Sequence, residues 1–213
     1  MSKVIFELSM SLDGFVAGPN DSPELPLGEG GERLFDWYNS GDTAFPLPGT
    51  DMVFNISQAS ADLLREEWAA LGAIVVGRRT FDIAGAWGGL PPGGGPRFVV
   101  THHPPQEWVR EDSPFTFVTD GVESAIAQAK QVAGGKNVAV SSASIVQQCI
   151  KAGLLDEIQI DLSPVLLGGG VRLFEHLGTG PIELECTRVV TTPHVTHLKY
   201  RVVKQGTSST DRD

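Results

Sequence analysis

Ala73-Ile74-Val75-Val76-Gly77-Arg78-Arg79-Thr80-Phe81-Asp82 sets out a buried strand, a tight turn and the start of a helix. The apolar run is β-branched and does not alternate, which marks a strand covered on both faces, as in a parallel sheet. Gly77 permits the turn, and the residues after it open a helix. The same pattern recurs on both sides. Upstream, Ser57 caps a helix from about Gln58 to Leu71, with Ala61, Leu64, Trp68 and Leu71 at helical spacing and Gly72 ending it. Downstream, the strand Arg97–Thr101 runs into His102-His103-Pro104-Pro105, where the prolines forbid a helix. Phe115–Val118 is a further strand, and Asp120-Gly121-Val122-Glu123 reads as a capping box for the helix Val122–Val132, closed by Gly134-Gly135. Asn137–Val140 leads through Ser141-Ser142-Ala143-Ser144 into the helix Ile145–Ala152, and the strand Glu157–Leu162 follows. Such alternation predicts an α/β fold: a mostly parallel sheet with helices on both faces, and a ligand crevice beyond the carboxyl ends of its strands.

The two ends of the chain frame this core. Val4–Met10 is a strand that stops at Asp13-Gly14, and Ile182–Thr192 with Val195–Lys204 forms a hairpin of antiparallel edge strands. Residues 18–56 are expected to be a lid-like insertion. The stretch Gly18 to Thr50 is rich in Pro, Gly and acids, and reads as a long loop with one short helix at Glu32–Tyr38. No repeat or linker divides the chain, so residues 1–205 are expected to form one domain. The small, polar stretch 206–213 is expected to be a disordered tail.

Composition excludes several classes of function. At 213 residues with a 41% hydrophobic share the chain has enough apolar residues for a single core. A formal charge of -10 argues against a nucleic-acid partner, because phosphate binding needs cations gathered on one face. No apolar run approaches a membrane span, and the start lacks a signal peptide's parts, so a cytoplasmic protein is expected. Cys149 and Cys186 lack the paired spacing of a zinc site and are expected to be buried free thiols. His194 and His197, three apart on a strand, face opposite ways, and no metal site is expected.

Several strand ends carry anion-friendly chemistry. Gly77-Arg78-Arg79-Thr80 joins a sharp turn, two guanidinium groups and a helix start; it reads as an anion site or as a solvated surface. Thr101-His102-His103 places a hydroxyl and two imidazoles where they can flank an adenosine ribose and its 2′-phosphate, or simply form a polar turn. Ser141-Ser142-Ala143-Ser144-Ile145 lets a pyrophosphate approach a helix N-terminus, or is a plain serine cap. Leu166-Leu167-Gly168-Gly169-Gly170-Val171 offers close backbone approach, yet is neither a G-x-G-x-x-G nor a P-loop. Asp13 is the acid best placed to contact or protonate a substrate, or else the acid of an Asp-Gly turn.

Ser11-Leu12-Asp13-Gly14-Phe15-Val16-Ala17-Gly18, Gly77–Phe81 and the long run from Ala152-Gly153-Leu154-Leu155-Asp156-Glu157-Ile158 through Pro164 to Phe174 resemble the dihydrofolate reductase-like family. They resemble in particular the reductase domain at the carboxyl end of the bifunctional riboflavin-biosynthesis deaminase-reductase, and its stand-alone relatives. The resemblance implies a three-layer fold and NADPH-dependent hydride transfer to a small heterocyclic or carbonyl substrate. The nicotinamide is expected near Val16-Ala17 and the turn Leu167–Gly170. The adenosine phosphates are expected at Arg78–Thr80 and Thr101–His103, and the pyrophosphate at Ser141–Ile145. Relatives are often homodimers. The chain departs from relatives in carrying Ser141-Ser142 where they have a glycine pair. It also shows no carboxylate matching the folate-binding acid in the expected helix, and it lacks the deaminase zinc motif. Two other readings remain: a non-catalytic NADP-binding module, and a flavin or pterin carrier whose ring stacks on Phe35, Trp37 and Tyr38.

Overall fold

The computed structural model describes residues 2–178 and 180–204; the expected tail at 206–213 lies outside them. The chain forms strands β1 (Val4–Ser11), β2 (Phe15–Ala17), β3 (Thr43–Pro46) and β4 (Val53–Ile56), then helix α1 (Gln58–Ala70), strand β5 (Leu71–Gly77) and helix α2 (Arg78–Ile83). Next come β6 (Arg97–Val100), β7 (Phe115–Val118), α3 (Val122–Val132), β8 (Asn137–Val140), α4 (Ala143–Lys151), β9 (Glu157–Ser163) and β10 (Val171–Arg172). The strands β11 (Leu184–Thr191) and β12 (Thr196–Val202) are the last described elements.

The main sheet has eight strands in the order β11-β12-β9-β1-β8-β5-β6-β7. From β9 to β7 every neighbour is parallel, whereas β12 and β11 add on antiparallel, as the terminal hairpin required. On one face α3 and α4 bury Ala125, Ile126, Ala129, Ile145 and Val146 against Val4, Phe6, Val75, Val138 and Val140. On the other, α1 and the insertion pack Leu64, Trp37 and Ile56 together, while Phe81 of α2 closes over Val76 and Val99. This is a dihydrofolate reductase-like architecture, and it gathers the carboxyl ends of β1, β5, β6, β8 and β9 along one edge.

Three expectations change. Residues 18–56 are more than loop and helix: the 3-10 helix Gly31–Asn39 is followed by the β3–β4 hairpin, in which Phe45 stands opposite Phe54. Pro46 had read as loop, yet a proline is tolerated at the end of an edge strand where no ladder N–H is needed; Pro48 and Gly49 do form the turn. The insertion is also anchored, since Trp37 is buried and donates its Nε1–H to Ser9 Oγ at 3.1 Å. Asp120 does not cap α3, whose N-cap is Gly121 with no side-chain bond. Cys149 is buried as expected, but Cys186 is exposed because β11 is the sheet edge.

Candidate active site

At the end of β5 the Gly77 N–H donates to Ser142 Oγ at 2.8 Å, and that hydroxyl lies 2.8 Å from Thr80 Oγ1. One buried side chain therefore braces the turns after β5 and β8. A Cβ at position 77 would stand 3.3 Å from Ser144 Oγ, so glycine there answers to packing as well as to the turn. Ser142 is the N-cap residue of α4, but its side chain does not cap the helix. The first-turn N–H groups of Ala143, Ser144 and Ile145 therefore have no side-chain cap and can serve an anion. The simple serine cap is thus replaced by a brace.

The two arginines part company. Arg78 forks onto Asp82 at 2.8 and 2.9 Å and also donates to the carbonyl of His103, joining the ends of β5 and β6. There Thr101 Oγ1 accepts from the His103 N–H at 3.2 Å, while His102 and His103 are exposed, so Arg78, Thr101, His102 and His103 make one polar rim. Arg79 is bound instead to Asp21 of the insertion, at 2.6 Å to Oδ1 and 2.9 Å to its carbonyl.

The other end of the groove is held by Asp13. Its carboxylate accepts from Ser11 Oγ at 2.6 Å, from Gly168 N–H at 2.7 Å and from Leu167 N–H at 3.1 Å. The Ser11 hydroxyl most of all, then these backbone donors, lowers the Asp13 carboxyl to about 2. Sequence reading had offered Asp13 as a contact or proton donor for substrate or as the acid of an Asp-Gly turn; here it is a carboxylate that clamps two loops. The clamp sets Val16-Ala17 beside Leu167–Gly170, where β2 and β10 pair. At Gly170, φ is +124° and a Cβ would lie 2.0 Å from the Ala17 carbonyl oxygen, so only glycine fits. Gly169 differs: its φ is not positive and a Cβ would meet nothing within 4 Å. Nothing in the fold itself requires a glycine there.

Beside this groove, on the α1 face of the sheet, lies a cavity of about 200 Å³. Phe35, Tyr38, Phe54 and Trp68 supply aromatic walls, and Glu7, Glu67 and Asp161 supply carboxylates. Ser141, which begins the turn into α4, also lines it, so groove and cavity adjoin. Glu67 is only 8% exposed, and neither of its carboxylate oxygens has a hydrogen-bond partner. Burial, opposed in part by Glu7 and Gln159, pushes the Glu67 carboxyl up to about 7. Glu7 is raised well above the ordinary range, first by burial and then by the charges of Glu67 and Asp161. Asp161 is fixed differently. It lies 2.6 Å from His197 Nδ1, and His197 Nε2 lies 2.8 Å from Ser60 Oγ, with Trp37 edge-on to the imidazole. Chemically the cavity can hold and release a proton near neutral pH, and can accept N–H donors.

This acidic group was missed in the sequence. The reading saw no carboxylate matching the folate-binding acid and did not single out Glu67, which α1 carries in the cavity wall. The available signal was an acid between Leu64 and Trp68, on the apolar stripe of an amphipathic helix. Glu7 and Asp161 lie on β1 and β9, and only the sheet register brings them to one face. Of the stacking trio, Phe35 and Tyr38 reach the cavity but Trp37 is a core residue.

Comparison with known proteins agrees with this architecture. The uncharacterized protein YwjB of Bacillus subtilis is 24% identical over 178 residues, covering 82% of this chain and 84% of its own. A Shewanella sp. PV-4 protein assigned provisionally to riboflavin biosynthesis superimposes with a TM-score of 0.66 at 23% identity, over 96% of this chain and 100% of that one. Dihydrofolate reductase from Enterococcus faecalis, in complex with NADP(H) and RAB-propyl, gives a TM-score of 0.56 at 13% identity, over 95% and 97% of the two chains. The sequence pattern of the RibD C-terminal domain matches residues 2–198, nearly the whole chain, and the protein belongs to that family.

Proposed function

We propose that this protein is an NADPH-dependent reductase that delivers hydride to a small heterocyclic or carbonyl compound seated in the cavity on the α1 face. The observation that carries the reading is the bare glycine at 169, where neither the backbone conformation nor the packing requires glycine, together with the uncapped N-terminus of α4. A backbone left open in that way suits the close approach of a flat ring. The residues present fit a phosphorylated dinucleotide. The α4 N–H groups would receive the pyrophosphate, and Arg78 with Thr101, His102 and His103 would receive the adenosine 2′-phosphate. Val16-Ala17 and Leu167–Gly170 would flank the nicotinamide. When bound, the cofactor supplies the hydride. Ser142, engaged by Gly77 and Thr80, braces the groove rather than binding the ligand, which accounts for serine in place of a small, open residue. The complex of the Enterococcus faecalis reductase with NADP(H) supports the same choice of cofactor.

Titrating the protein with NADPH and with NADH, while following cofactor fluorescence, tests the proposal. Saturable binding that favours NADPH is the expected result. No binding at about millimolar cofactor, where even a binding energy near 4 kcal/mol would register, ends the reading.

A further inference from the structure

We infer that the tip of the β3–β4 hairpin, residues 47–52, is the door of the acidic cavity, and that the Gly93 N–H bonded to the Pro48 carbonyl is its latch. The inference rests on the reductase reading only for holding that a dinucleotide fills the groove.

The cavity has two neighbours. Through Ser141 it adjoins the groove, and a dinucleotide lying there closes that way to a second molecule. Elsewhere Phe45 and Trp68 separate it from an outer pocket of about 350 Å³ between the hairpin, α1 and Gly93. Leu47 lines the cavity and Pro48 lines the outer pocket, so the first residues of the tip belong to the same partition. The outer pocket is largely apolar, and its guanidinium, Arg65, is paired with Asp62 at 3.0 Å. A neutral molecule suits such a passage.

Root and tip of the hairpin are held differently. At the root Ile56 is fully buried, Phe54 stacks on Tyr38 at 4.3 Å, and the Gly41 N–H donates to the Asn55 carbonyl at 2.9 Å. A Cβ at Gly41 would lie 2.1 Å from the Ile56 carbonyl carbon, so backbone packs on backbone there. The tip's own bonds, from the Leu47 N–H to the Met52 carbonyl and from the Thr50 hydroxyl to the Leu47 carbonyl, stay within it. Among the described residues one hydrogen bond ties it to the rest of the chain, from the Gly93 N–H to the Pro48 carbonyl at 2.6 Å. The last pair of the ladder is Pro46 with Val53, and proline has no N–H to add to it, so that row is the hinge. Across the latch, Gly93, Gly94 and Gly95 make a pliant run. Moving the tip breaks one bond whose two groups water then satisfies, a small net loss, and withdraws Leu47 from the cavity wall.

The reporter is a thiol placed in the cavity wall by Ala139→Cys, in a Cys186→Ser background, and the probe is the neutral disulfide 4,4′-dithiodipyridine. The thiolate attacks the reagent's S–S bond, a mixed disulfide forms, and the pyridine thione released gives the rate by its absorbance. Cys149 stays silent, because burial pushes its thiol up to about 12. Gly49→Ala opens the door: φ is +74° there, and a Cβ would stand 2.9 Å from the backbone nitrogens of Gly93 and Gly94. Gly94→Ala is the control, with φ at +60° and nothing within 4 Å of the added Cβ. Under saturating NADPH, labelling of the reporter is expected to continue, to rise about tenfold with Gly49→Ala and to change by about twofold at most with Gly94→Ala. Labelling abolished by NADPH would make the groove the entrance and overturn the inference, as would equal rates with and without Gly49→Ala. If NADPH does not bind, the reductase reading falls, while the two alanine variants still decide the door.

Hydrogen exchange on the unmodified protein gives a second measurement. Gly93 and Gly41 each take part in one N–H bond to a hairpin carbonyl, one at the latch and one at the root. The Gly93 amide is expected to exchange at least about tenfold faster than that of Gly41. Equal protection of the two would fix the tip to the loop and overturn the inference.

Discussion

The glycine-lined groove at the strand ends and the acidic cavity meet at Ser141 and are built in opposite ways. The groove is made of backbone: uncapped N–H groups of α4, the Gly77 turn, the Gly168–Gly170 turn and a rim fixed by Arg78. The cavity is made of side chains drawn from β1, α1, β9 and the insertion, and its carboxylates are kept out of water. An exposed backbone site tolerates an absent ligand, because water satisfies its N–H groups. A buried carboxylate site does not, so its state responds to pH and to occupancy.

That contrast can be broken most forcefully at Gly170. Gly170→Ala puts a Cβ against the Ala17 carbonyl in a backbone region that side chains avoid, so β2 and β10 must separate. The expected cost is about 3 kcal/mol, read as a lower urea midpoint, with the Val16-Ala17 end of the groove lost. A variant as stable as the parent would show that the groove's backbone is not so constrained.

The cavity predicts a smaller effect that depends on pH. Glu67 rises from an ordinary 4.5 to about 7 on folding, so the folded chain keeps a proton that the unfolded chain releases in that window. Stability should therefore fall as pH rises from 4.5 towards 7, by at most about 1.4 kcal/mol per unit, and stay reduced above it. Glu67→Gln removes this contribution, so its stability should fall less steeply than the parent's across the window. Parallel curves for parent and variant would place Glu67 in water.

The smallest effect separates the two arginines. Arg78→Ala is expected to weaken NADPH about tenfold and NADH much less, while Arg79→Ala changes either by about threefold at most, since Arg79 is held by Asp21. Equal losses in the two variants would return both to the same role.

The fold was legible because its signals are local. Val122–Val132, Phe115–Val118 and Asn137–Val140 run as the pattern predicts, for each is punctuated by glycine or a change of period. The groove was legible for the same reason, since Gly77, Ser141–Ile145 and Leu167–Gly170 are contiguous segments at strand ends. The cavity was not. Glu7, Glu67 and Asp161 are scattered along the chain, and each looks like a solvated acid until the sheet and α1 cover it.

The sequence by itself determined the alternation of strands and helices from β5 to β9 and the antiparallel end of the sheet. These follow from periodicity, turns and caps, which act over a few residues. Only the tertiary structure decided that Asp13 clamps two loops, that Arg79 belongs to Asp21, that Ser142 braces rather than caps, and that Glu67 is buried without a partner. Those are questions of which polar group finds which partner, and hydrogen bonds between distant residues are fixed by how layers pack, not by spacing along the chain.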